Sequence, residues 1–147
     1  MYRRLLVPID NSAAAKRGLE AAIGLAIDLD AQIRLVHVLP TEPADEGPML
    51  AVLEAARRQA VAAGVAADTQ CLDPFPLSFE ELIIEEALEW RADLIVMGTH
   101  GRTGLPRLVH GSYAERLIRH SPIPILLVPP AGSASRTAGR LCEESAQ

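Results

Sequence analysis

The chain has 147 residues, a mass of 15.8 kDa and a formal net charge of −5, from 14 basic and 19 acidic residues. This is the size of one domain that can bury a core without disulfides or a metal, and the acidic balance excludes a broad basic surface for nucleic acid or anionic membrane. Aromatic residues make up only 3%, so Ala, Leu, Ile and Val must fill the core.

At the N-terminus, Arg3 and Arg4 precede an apolar run that ends at Asp10, too short for a secretion signal. Leu5 to Ile9 is a strand buried on both faces, and Pro8 suits its exit. Residues 13–29 switch to helical spacing, with Leu19, Ala22, Ile23, Ala26 and Ile27 on one stripe and Ser12 as N-cap. Ile33 to Val38 is a second strand, stopped by Pro40. Residues 40–48 are loop by composition. Met49 to Ala63 is an Ala-rich helix, and Gly64 is placed as its C-terminal stop. Val65 to Leu72 is a weak third strand, and Asp73-Pro74-Phe75-Pro76 is a turn. Phe79, Leu82, Ile83, Ala87 and Trp90 form the next helical stripe. Glu80, Glu81, Glu85, Glu86 and Glu89 lie mostly off it and read as a solvated face. Leu94 to Met97 is apolar on both faces, as in a central parallel strand. The Gly-rich stretch Gly98–Gly104 follows. Gly111 to His120 is a helix ended by Pro122. Ile123 to Val128 is a last strand whose prolines, Pro122 and Pro124, suit a sheet edge. Residues 130–147 have little pattern and read as a flexible C-terminal tail behind a domain of residues 1–129.

No run of about 18 apolar residues appears, so no spanning helix and no membrane role are expected. Cys71 and Cys142 are too few for a disulfide scaffold and neither sits in a Cys-x-x-Cys pair, which points to a cytoplasmic protein. Cys71 reads as a small buried hydrophobe. Of the four histidines, His37 is in a strand, His100 and His110 are in the loop and His120 is at a helix end; they form no ligand pair, so no metal site is expected, and the loop histidines read as solvated.

The order β-α-β-α-β-α-β-α-β implies an open α/β fold, a parallel sheet with helices on both faces. Ligands of such sheets bind beyond the carboxyl ends of the strands, where strand order reverses. The positions to inspect are Asp10-Asn11-Ser12, His37-Val38-Leu39, Asp73-Pro74 and Gly98 onward. The segment from Met97 to Tyr113 leaves a buried strand and enters a helix at Gly111-Ser112. Helix N-termini expose unpaired N–H groups and partial positive charge, and glycines let the backbone approach a phosphate chain. Ser112 adds a hydroxyl, and Arg102 and Arg107 add charge. Two readings fit these residues: a phosphate site, or a strand-to-helix loop capped by Ser112. The P-loop pattern is absent, and so is a Gly-x-Gly-x-x-Gly after the first strand.

Gly98-x2-Gly101-x9-Gly111-Ser112 resembles the Gly-x2-Gly-x9-Gly-Ser/Thr motif of the universal stress protein family, in particular its nucleotide-binding branch. The wording Ala92-Asp93-Leu94-Ile95-Val96-Met97-Gly98-Thr99-His100-Gly101-Arg102 is similar to that family too. So are Ala114-Glu115-Arg116, the ending His120 to Val128, and Leu6-Val7-Pro8-Ile9-Asp10. The resemblance implies a five-stranded parallel Rossmann-like sheet in order 3-2-1-4-5, of the adenine nucleotide alpha hydrolase type. It also implies ATP or a related adenine nucleotide as ligand, with or without Mg²⁺, and a homodimer through the last strand, 123–128. By the same resemblance, Asp10 accepts hydrogen bonds from ribose or adenine; its other role is to cap the first helix. Pro8 and Ile9 wall the adenosine and Val38 meets the adenine. Met97 and Gly98 lie beside the ribose, and Gly101, Arg102, Gly111, Ser112 and Tyr113 surround the phosphates.

Three positions depart from the family pattern. Asn11 replaces a glycine, and Asn tolerates left-handed backbone better than most residues. Tyr113 replaces a small or β-branched residue at the phosphate side, where it crowds or hydrogen-bonds the phosphates. Cys71 to Leu77 lacks the usual Gly-x-Pro. Three classes of function follow. The first is an ATP-binding stress-response or signalling regulator, with an unidentified protein partner. The second is a dimeric interaction module without nucleotide. The third, an enzyme, is disfavoured, because no general base, lysine or paired metal carboxylates converge on the loop.

Overall fold

The computed structural model describes residues 1–39, 46–99 and 112–130. Strand and helix alternate as β1 (Arg4–Pro8), α1 (Ala13–Leu29), β2 (Gln32–Val38), α2 (Glu46–Ala62), β3 (Ala67–Leu72), α3 (Phe79–Glu89), β4 (Leu94–Gly98), α4 (Ser112–His120) and β5 (Ile125–Val128). The five strands are parallel, in the expected order β3-β2-β1-β4-β5. Central β1 pairs on both sides: Leu5 lies opposite Ile33 of β2 and Leu94 of β4, and Leu6 lies opposite Arg34 and Ile95.

Successive strand residues point to opposite faces, so β1 feeds two cores. Leu5, Val7 and Ile9 pack with Leu19, Ile23 and Ala26 of α1 and Leu53, Ala56 and Ala60 of α2. Leu6 packs on the other face with Val36, Ile95, Ile83 and Ala87 of α3 and Leu117 of α4. This is why Leu5–Val7 of β1 and Leu94–Met97 of β4 are apolar at every position. Ile27 of the α1 stripe, and Ile118, which the helical spacing of residues 111–120 puts on one side with Ala114 and Leu117, lie outside the cores: Ile27 is 56% exposed and Ile118 50%. Each sits at the margin of its stripe, beyond the reach of the sheet.

Local chemistry sets the element ends. The Ser12 hydroxyl accepts from the Ala15 N–H at 3.0 Å, the cap expected for α1. Gly64 follows α2 with φ +84°, as a C-terminal stop requires. α2 starts at Glu46, earlier than expected, because Pro48 lies in its first turn, where a missing N–H costs nothing. β3 starts later than Val65, whose N–H bonds back to the Ala60 carbonyl at the end of α2. β5 starts at Ile125 because the Ser121 hydroxyl already takes both the N–H and the carbonyl of Ile123. β5 is an edge strand, as its prolines indicated.

Glu86 corrects the reading of α3's acids as a solvated face: it is buried, 8% exposed. Its Oε1 accepts from Arg34 at 2.9 Å, and the same guanidinium donates two bonds to Asp68 and lies 4.9 Å over the Trp90 ring. Arg34 sits inside a β-ladder facing α3, so its charge needs a carboxylate from that helix. Arg34→Leu leaves Glu86 buried and unpaired and is expected to cost about 3 kcal/mol. The Arg34→Leu/Glu86→Leu double variant should recover most of that loss. Urea unfolding followed by Trp90 fluorescence checks both.

Candidate functional site

In right-handed βαβ units the strand ends and the starts of the following helices share one edge. Here the chain leaves β1 for α1 on one face and β4 for α4 on the other. β1 and β4 are neighbours at which strand order reverses. A cleft of about 890 Å³ opens at this point. Its floor comes from Pro8, Val36, Val38, Met97 and Leu127. The α3 and α4 starts supply its wall, through Ser78, Phe79 and Glu80 and through Tyr113 and Ala114. Ile9, Asp10, Ser12, Gly98 and Thr99 form the rim at the end of the central strands.

The fold therefore brings together Pro8, Ile9, Asp10, Val38, Met97, Gly98 and Tyr113, all singled out from the sequence. Gly101, Arg102 and Gly111 lie outside the described residues, with Arg107, His100, His110, Cys142 and the segment 131–147. Ser112 is the first residue of α4, and its side chain is also outside the description.

Asp10 is exposed, and its Oδ1 accepts from the Ser12 N–H at 2.8 Å. The helix cap belongs to Ser12, so capping α1 is not what Asp10 does. Non-glycine residues at positive φ, among the described residues, are Asp30 and Arg91. The turn after β1 thus forms without left-handed backbone at Asn11, because the Asp10 carboxylate holds the bend. Tyr113 is 55% exposed, and its ring lies 4.8 Å from that of Phe79 at 53°. It packs against the start of α3 and joins the two helices that wall the cleft.

Gly98 has a packing role that the motif did not reveal. A Cβ built on it would fall 1.8 Å from the Ala14 carbonyl oxygen, and one on Gly18 would fall 2.9 Å from the Gly98 nitrogen. The α1 backbone therefore rests directly on the end of β4. Arg17 of α1 adds a hydrogen bond to the Thr99 carbonyl at 2.6 Å.

His37 lies on β2, the strand in which it was expected. It is 8% exposed, and Nδ1 lies 2.8 Å from the Ile9 carbonyl oxygen. A carbonyl only accepts, so Nδ1 carries the proton. Cys71 is half-buried, and burial, followed by the nearby Glu46 charge, raises its thiol pKa above the ordinary value. That disfavours the reactive thiolate. Among the described residues no group of three or more His, Cys, Asp or Glu could hold a metal ion, and no helix is long and apolar enough to cross a membrane.

Sequence reasoning missed Ser78, Phe79, Glu80 and Leu127. The signal was available in part: helix N-termini share an edge with strand C-termini, so the first turn of α3 was bound to overlook the cleft. Ser78 opens that turn with a capping box, its hydroxyl accepting from the Glu81 N–H while the Glu81 carboxylate accepts from the Ser78 N–H at 2.7 Å.

The model of the universal stress protein family matches residues 1–74 and 78–129. The chain belongs to the universal stress protein family. It is 31% identical over 145 residues to a universal stress protein of Methanocaldococcus jannaschii, covering 87% of this chain and 82% of that one. A solved structure of a universal stress protein family member from Burkholderia pseudomallei superposes with a TM-score of 0.71 at 28% identity, over 88% of this chain and 97% of that chain. A universal stress protein in complex with cAMP superposes with a TM-score of 0.70 at 25% identity, over 86% and 97%. The family match breaks between residues 74 and 78, in the turn after β3 where the usual Gly-x-Pro is missing. In this universal stress protein a cis Phe75–Pro76 bond occupies that turn, and the Asp73 carboxylate accepts from the Phe75 N–H at 3.1 Å.

Gly98→Ala tests the packing role. The new methyl meets backbone rather than a movable side chain, so α1 must shift. A loss of about 3 kcal/mol is expected, at the upper end for overpacking. Thermal melting without ligand reads it directly.

Proposed function

We propose that this universal stress protein binds ATP or a related adenine nucleotide in the cleft and acts as a stress-response or signalling regulator without catalytic turnover. One observation carries the reading: Pro8, Ile9, Asp10, Val38, Met97 and Gly98, which the family resemblance assigned to an adenosine, line one cleft at the strand-order switch. The related structure with cAMP supports an adenine nucleotide as the class of ligand. In this reading the base lies over β2 beside Val38, and Asp10 accepts from a ribose hydroxyl or the adenine. The phosphates run toward α4, whose first N–H groups have no intrahelical acceptor. Gly101, Arg102, Gly111 and Ser112 enter on the motif alone. Mg²⁺ would accompany a triphosphate through its own phosphate oxygens. Binding would act by shifting a conformational or partner-binding equilibrium in a cytoplasmic protein.

Calorimetry on ligand-stripped protein tests it. Binding of AMP or ATP is expected, with Asp10→Ala weakening it about tenfold through a lost charge-assisted hydrogen bond. No binding at about 1 mM nucleotide, with or without Mg²⁺, would overturn it.

A second reading, compatible with the first, is a homodimer through β5. This edge strand is apolar throughout, and Leu126 is 38% exposed on it. Light scattering is expected to give twice the chain mass; a monomer at about 100 μM would count against it.

A further inference from the structure

We infer that Glu80 selects the base, favouring a purine whose six-position carries an amino group over one that carries an oxo group. This rests on the nucleotide reading and deepens it. Glu80 lies in the first turn of α3 and lines the cleft. Its neighbour Phe79 packs in the same apolar cluster as Val38, which places this turn over the β2 end of the floor. The other polar groups of the turn are committed, since Ser78 and Glu81 satisfy each other in the capping box. Glu80 Oε2 has no such commitment. It is shielded from solvent and has no hydrogen-bond partner among the described residues.

An ionised carboxylate can only accept, so a shielded and unpartnered carboxylate oxygen calls for a donor. An exocyclic amino group on a base lying over Val38 supplies one. A six-oxo group there presents a lone pair instead, and two facing acceptors repel. Of the other carboxylates that line the cleft, Asp10 follows the end of β1, one strand away from β2, and so sits nearer the sugar, while Glu115 of α4 accepts from Arg119 at 2.8 Å. Phe79 and Tyr113, whose rings are in contact, give this wall an apolar surface against which a base can rest. The cap of α3 does not use Glu80, so the helix should tolerate its replacement.

The experiment compares AMP with IMP on ligand-stripped protein by calorimetry, for the wild type, Glu80→Gln and Glu80→Leu. The wild type is expected to bind AMP about tenfold more tightly than IMP. In Glu80→Gln the amide can present either a donor or an acceptor, so the ratio should fall toward one, chiefly through weaker AMP binding. Glu80→Leu should also lose the discrimination, and circular dichroism confirms that both variants are folded. A wild-type ratio of one or below, or a ratio unchanged in both variants, overturns the assignment of Glu80 while leaving nucleotide binding intact. A wild type that binds neither nucleotide overturns the nucleotide reading and this inference with it.

Discussion

The backbone of α1 lies against the end of β4, and the site depends on that contact. Gly98 and Gly18 remove the side chains that would hold the two elements apart, and the Ala14 carbonyl occupies the space a Cβ on Gly98 would need. The close approach fixes the start of α1 beside the strand-order switch. It thereby fixes Asp10 and Ser12 at the rim of the cleft, opposite Met97 and Thr99. The hydrogen bond from Arg17 to the Thr99 carbonyl anchors the exit of β4 to the same helix. A glycine that looks like part of a ligand loop is thus also the residue that sets how the central layer is assembled.

The cleft exists because the two faces of the sheet are covered differently. On one face α1 and α2, of 17 residues each, supply an apolar layer that buries Leu5, Val7 and Ile9. On the other, α3 and α4 have 11 and 9 residues, and their buried residues Ile83, Ala87 and Leu117 reach the lower part of the sheet around Leu6 and Ile95. The upper positions of the same face, Pro8, Val38, Met97 and Leu127, are left as a floor, with Phe79 and Tyr113 standing over it. Short helices and an apolar floor make a space for a flat ligand, and the polar groups stand at its margins. The ion pair of Arg34 with Glu86 and Asp68 closes the opposite end, where the ladder would otherwise carry an unpaired cation under α3.

Much of this was legible in the residues. The alternation of strands and helices, the strand order implied by the family motif and the α1 cap each appear where expected, because each depends on local chemistry or on a period of two or 3.6. The boundaries moved where a local bond competed: Ser121 consumes Ile123, the Ala60 carbonyl retains Val65, and Pro48 is accepted in a first helical turn. The misplaced residue is of another kind. Glu86 looks like a surface group in sequence, and it is buried because Arg34, distant in the chain, satisfies it.

The sequence by itself determined the fold class, the family and the residues after each strand that converge at the switch, because hydrophobic period and motif spacing are properties of neighbours along the chain. Only the tertiary structure decided that Gly98 packs against Ala14, that Tyr113 turns to Phe79, and that the first turn of α3 brings Glu80 to the cleft. These are meetings between elements separated by tens of residues. Their geometry follows from how closely helices seat on the sheet, which no local pattern encodes.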